Sequence, residues 1–144
     1  MAKDRRAITG YAFLINSGAI SWSSKQQEIV SLSTTKSEYV AATHSMKEAL
    51  WLCSLLTDIF GPFKNSTMML CDNQSAIVLT HDNQYHACTK HIDMHYHFIC
   101  WVVKQGAIQL VYCPTKDMVA DALTKSLPSP KVKHFAAGLR LCEK

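Results

Sequence analysis

The sequence predicts an α/β fold: a mixed sheet flanked by helices. Three observations lead there. A β-branched and aromatic pair of runs joined by a turn comes first. Helical and strand-like patterns then alternate, which puts helices on the faces of a sheet. One strand, Thr67 to Cys71 (TMMLC), is apolar throughout, as in a sheet buried on both faces.

Each element has its own signal. Ile8 to Asn16 (ITGYAFLIN) reads as a strand, Asn16-Ser17-Gly18 as a turn, and Ala19 to Ser24 (AISWSS) as a half-buried second strand. Ser33-Thr34-Thr35 is a helix start, and apolar residues recur at three- and four-residue steps from Glu38 to Phe60. Gly61-Pro62 ends that helix. After Thr67 to Cys71, Gln74 to Thr80 reads as a short helix and His81 to Thr89 as a polar loop. Lys90 to Lys104 is helical, Ala107 to Cys113 is a strand, and Met118 to Lys125 begins another helix. The order is β-β-α-β-α-α-β-α. Residues 1–127 form one domain on this reading, and 128–144, with Pro128, Pro130 and a short apolar run, form a C-terminal tail.

The chain has 144 residues, 48% of them hydrophobic and 18% charged. That excludes a disordered tail, and the short apolar runs exclude a bilayer-spanning helix. No apolar stretch follows Met1-Ala2-Lys3-Asp4, so the expectation is an intracellular protein, cytoplasmic or nuclear, neither secreted nor in a membrane. A net charge of +4 permits a polyanionic partner without requiring one. The six cysteines form no CxxC pair and read as buried free thiols.

The acids are few, so their positions inform. Asp72 ends an apolar strand, where open α/β sheets place ligands. Glu38 stands near the start of the long helix, and Asp121 follows the last strand. Three acids from separate elements could converge on one sheet edge, where a hard cation such as Mg²⁺ or Mn²⁺ would relieve their repulsion. Two ions about 3.5–4 Å apart are a common device for in-line attack on a phosphodiester. On spacing alone, Asp72 and Asp121 equally suit helix N-caps, and Glu38 a solvated first-turn acid.

Seven motifs, in order, carry a family resemblance. They are Thr9-Gly10-Tyr11; Gly18-Ala19-Ile20-Ser21-Trp22 with Ser24-Lys25-Gln26-Gln27; and Leu32-Ser33-Thr34-Thr35-Lys36-Ser37-Glu38-Tyr39. Then come Trp51-Leu52; Cys71-Asp72-Asn73-Gln74-Ser75-Ala76-Ile77; Thr89-Lys90-His91-Ile92-Asp93 with His97-Phe98-Ile99; and Ala120-Asp121 with Leu123-Thr124-Lys125. From about Arg5 to Leu127 the chain resembles the ribonuclease H domain of Ty1/copia-type retrotransposon Pol polyproteins. The resemblance implies a five-stranded mixed sheet in the order 3-2-1-4-5. It also implies cleavage of the RNA strand of an RNA/DNA hybrid by two Mg²⁺ (or Mn²⁺) ions held on four carboxylates. Matched motif by motif, Glu38, Asp72 and Asp121 are three of those catalytic, metal-binding acids. Lys25, Asn73, Gln74, Lys90 and His91 are the residues expected to meet the nucleic acid.

The family's first catalytic Asp lies on its central strand 1, before the Thr-Gly-Tyr motif, and Asp4 does not match it. The expectation is therefore a ribonuclease H-like fold lacking strand 1 and one acid. Such a chain would be inactive as written, a nucleic-acid- or protein-binding remnant, or would be completed by a strand from another chain or segment. Cys88 also stands where the family often has Arg, which weakens phosphate contact.

His86, His91, His95 and His97, with Cys88 and Cys100 nearby, offer zinc as a rival reading, since His91 and His95 share a helix face. Lys25, Lys90 and Lys104 are candidates for phosphate contact. Trp22, Trp51 and Trp101 are expected in the core.

Overall fold

The structure, a computed structural model, describes residues 6–28, 30, 34–74, 77 and 90–141. Its strands are β1 (Ile8–Ile15), β2 (Gly18–Gln26), β3 (Thr67–Cys71) and β4 (Ile108–Tyr112). Its α-helices are α1 (Thr34–Phe60), α2 (Lys90–Lys104) and α3 (Ser129–Gly138), with 3₁₀ turns at Thr115–Asp117 and Val119–Leu123. The class is α/β, as expected. The chain forms two compact units: Met1–Leu32 with Thr115–Lys144, and Ser33–Pro114.

In the first unit β1 and β2 pair antiparallel, with Thr9 opposite Lys25 and Ala12 opposite Trp22. Asn16 and Ser17 turn the hairpin with φ of 49° and 64°, left-handed values that match the twist of the strands they join. A bulge between Phe13 and Leu14 shifts the register by one residue. The segment read as a helix from Met118 is instead a 3₁₀ turn. Asp121 N–H donates to Met118 O at 3.1 Å and Thr124 N–H to Asp121 O at 3.1 Å, the tighter i→i+3 pattern. Gly10 lets this turn come close, because a Cβ at Gly10 would strike the Thr124 side chain and stand 3.2 Å from Leu123 Cβ. Ser24 Oγ–H donates to Leu123 O at 2.5 Å and fixes the approach.

The segment after residue 128 is not only a tail. Pro130 sits in the first turn of α3, where its missing N–H costs nothing. Phe135 (1% exposed) and Leu139 are buried, and Ala19 N–H donates to Leu139 O at 3.4 Å.

In the second unit β3 and β4 pair in parallel, Thr67 with Ile108 through Cys71 with Tyr112. Helix α1 buries Tyr39, Thr43, Met46 and Ala49 along one stripe; α2 buries Tyr96, Ile99 and Val102. The helices meet where His95 Nδ1 and Thr43 Oγ1 lie 3.1 Å apart and the rings of Tyr39 and Tyr96 pack edge-on. Cys53 Sγ to Thr67 Oγ1, 3.1 Å, ties α1 to β3.

Three expectations are corrected. The mixed sheet is present, among the described residues, as two two-stranded ladders, β1-β2 and β3-β4. Their backbone partners lie within each unit. Trp22, Trp51 and Trp101 are not core residues: they are 59%, 58% and 56% exposed. Trp51 and Trp101 stand away from the buried stripes of α1 and α2, and Trp22 stands on the more exposed face of β2. The four described cysteines form no disulfide, and of these Cys113 alone is buried, with Cys53, Cys71 and Cys100 half-buried.

Candidate active site

Glu38 lies one turn into α1, on the same unit as the end of β3. There β3 stops at Cys71, and Asp72-Asn73 leads into a helical turn whose Ile77 N–H donates to Asn73 O at 3.3 Å. The Asn73 side-chain amide donates to Glu38 Oε2. Burial raises the Glu38 carboxyl above its ordinary value, the Asn73 hydrogen bond pulls it back, and the negative charge of Asp72 raises it again. Burial likewise pushes the Cys71 thiol up, with Asp72 and Glu38 adding to it. Two acids thus share one field at the C-terminal end of an apolar strand.

Carboxylates are the donors that a hard cation takes. Mg²⁺ keeps several waters and is commonly held by one or two carboxylates together with substrate phosphates. Glu38 and Asp72 fit that donor chemistry, and a cation would offset both the burial and the like charge that disfavour the Glu38 carboxylate. Among the described residues no three His, Cys, Asp or Glu groups come together. The structure therefore brings together Glu38 and Asp72, two of the four acids that the resemblance implies.

Asp121 stands in the other unit. It is 6% exposed, and its Oδ2 accepts from Lys125 Nζ at 3.1 Å. Its backbone carbonyl accepts from Thr124 and Lys125 N–H, which locks the turn that presents it. Lys125 was legible as a partner from its i+4 spacing; Gly10 and Ser24, which seat the turn, carried no signal of that role in the sequence.

The residues expected to meet nucleic acid divide. Asn73 uses its amide on Glu38. Gln74 is exposed. Lys25 is exposed, with Nζ 4.0 Å from Glu28 Oε1. Lys90 and His91 lie on α2, and their side chains fall outside the described residues, as do Asp4, Ser33, His86 and Cys88. Of the histidine cluster, His95 turns Nδ1 toward Thr43 and His97 is exposed. No helix of the described residues is long and apolar enough to cross a membrane.

No protein-family model matches the chain. It is 44% identical over 128 residues, 89% of its length, to a retrovirus-related Pol polyprotein from transposon TNT 1-94 of Nicotiana tabacum. It is 37% identical over 134 residues to the Pol polyprotein from transposon RE1, and 36% over 133 residues to that from RE2, both of Arabidopsis thaliana. These matches cover 93% and 92% of the chain. The chain spans only about a tenth of each relative: 10%, 9% and 9%.

Proposed function

The chain is homologous, over most of its length, to a stretch of the retrovirus-related Pol polyproteins of transposons, and on that premise we propose that it is their ribonuclease H-like segment, of the Ty1/copia class, and that it engages RNA/DNA hybrids. The observation that carries this reading is the meeting of Glu38 with Asp72-Asn73 at the end of β3. Those residues match the family's second and third acids, and they come from different elements, 34 positions apart.

The strand pairing supports the same reading. A sheet in the order 3-2-1-4-5, taken without its central strand, leaves one antiparallel pair and one parallel pair. The ladders β1-β2 and β3-β4 have those senses.

On this reading Glu38 and Asp72 would hold a Mg²⁺ ion, and Asp121 matches a further acid of the family by its motif. Bound there, the ion would polarise a scissile phosphate and lower the pKa of an attacking water. Asn73 orients the Glu38 carboxylate by donating to Oε2, and the other oxygen would face the cation. Lys125 keeps the Asp121 side chain in one place. Lys25, Gln74, Lys90 and His91 would face the hybrid backbone, and phosphate contacts of that kind position a duplex without reading its sequence. These 144 residues bring three of the four acids, so cleavage requires the fourth.

The test joins this chain to the stretch that precedes the matched region in the tobacco relative. We expect Mg²⁺-dependent cleavage of a labelled RNA strand annealed to DNA, absent from the unjoined chain. Asp72→Asn should lower the rate at least about a hundredfold, the loss usual for removing a group that acts on the reacting phosphate. A folded fusion that leaves the hybrid intact, or one that cleaves equally well with Asp72→Asn, overturns the proposal.

A further inference from the structure

Helix α1 is 27 residues long and has two faces. Tyr39, Thr43, Met46 and Ala49 form the buried one. On a second side, steps of three and four residues place His44, Lys47, Trp51, Ser54, Leu55 and Asp58 along one line, and all six are exposed. Trp51 is 58% and Leu55 40% exposed, and Ile59 and Phe60 beside them are more so. A tryptophan in the middle of a solvent-facing stripe is unusual, and exposed apolar patches of this kind mark contact surfaces.

The order of charges along the stripe says what fits it. Of its charged residues, Lys47 stands one turn in from His44 and Asp58 at the other end, with Trp51, Ser54 and Leu55 between. Both lie equally far from the point between Leu52 and Cys53. Eleven residues at 1.5 Å each put them about 16 Å apart along the axis. Turned antiparallel about a two-fold axis through that midpoint, the stripe is its own complement. Lys47 then meets Asp58 of the copy, Asp58 meets Lys47 of the copy, and Trp51 lies against Ser54 and Leu55 of the copy. An isologous interface requires that each residue find its counterpart on an identical surface, and this stripe does. The 3-4 spacing also suits the shallow crossing of packed antiparallel helices. Lys47 lies at the flank of this face nearest α2, its Nζ 5.7 Å from the centre of the Phe98 ring. A polyanion fits less well, because Asp58 closes one end of the stripe with negative charge.

We propose that the outward face of α1 is a docking surface for a second copy of this chain, paired antiparallel across Trp51 and Leu55 with two Lys47–Asp58 ion pairs at its ends. The surface is distinct from the Glu38–Asp72 region, and the proposal does not depend on the nuclease reading.

Sedimentation velocity of the 144-residue chain over a concentration series tests it. Wild type should show a reversible monomer–dimer equilibrium. Lys47→Glu alone and Asp58→Lys alone each set like charges face to face and should weaken the dimer about tenfold or more. The double variant K47E/D58K restores opposite charges across the axis and should restore the dimer. Trp51→Glu should leave only monomer. Both charged positions are exposed, so helical circular dichroism should be unchanged; if either reversal unfolds the chain, Lys47→Gln and Asp58→Asn take its place, each weakening the dimer less. A wild type that stays monomeric, a dimer indifferent to Trp51→Glu, or a double variant no better than the single ones overturns the proposal.

Discussion

Glu38 carries a raised carboxyl pKa, caused first by burial and then by Asp72, against the pull of Asn73. The sign of its effect on stability follows. Below the ordinary value of 4.5, folded and unfolded chains both keep the proton and the contribution is complete. As the pH rises through the raised value, the folded chain must ionise a disfavoured carboxylate, and that stability is lost. Glu38→Gln should therefore flatten the fall in stability above the ordinary carboxylate range, read by denaturant melts across pH. Asn73→Ala should raise the Glu38 midpoint further in a carboxyl-carbon NMR titration; a lower midpoint would contradict the assignment of that hydrogen bond. Gly10 is the second critical residue. Gly10→Ala forces Thr124 and Leu123 aside and should destabilise the first unit by about 1–3 kcal/mol, the usual range for overpacking. Glu38 and Asp72 were legible in the sequence because acids beside apolar periodicity stand out. Gly10 was not legible in that way, because the atoms it makes room for come from more than a hundred residues away.

The elements were mostly readable, and the exceptions have physical causes. The hairpin, α1, β3, α2 and β4 fall where residue patterning puts them. The turn at Asp121 has the spacing of a helix, but its i→i+3 bonds and its seat on Gly10 hold it as 3₁₀. Trp51 was misplaced because a large aromatic ring suggests burial. Its phase, shared with Lys47 and Asp58 rather than with Tyr39 and Met46, puts it outside. Periodicity tells which residues share a face and leaves open what covers that face. Helix α3 shows the same limit from the other side: a segment read as a tail buries Phe135 almost completely. Phe135→Ala should cost about 3–5 kcal/mol and lower the melting temperature. A change within measurement error would return residues 129–138 to the status of a tail.

At the scale of the whole molecule the account joins a retroelement-derived sequence to a partial site. Homology to transposon Pol polyproteins covers most of this chain and about a tenth of each relative. Two acids are brought together in one unit, and a third is held by Lys125 in the other. The measurement that bears most directly on this is fluorescence anisotropy of a labelled RNA/DNA hybrid with the 144-residue chain, in Mg²⁺ and in chelator. The account predicts tighter binding to the hybrid than to duplex DNA, with a Mg²⁺-dependent part that Asp72→Asn removes. Equal binding to both duplexes, unchanged by Mg²⁺ and by Asp72→Asn, would contradict it.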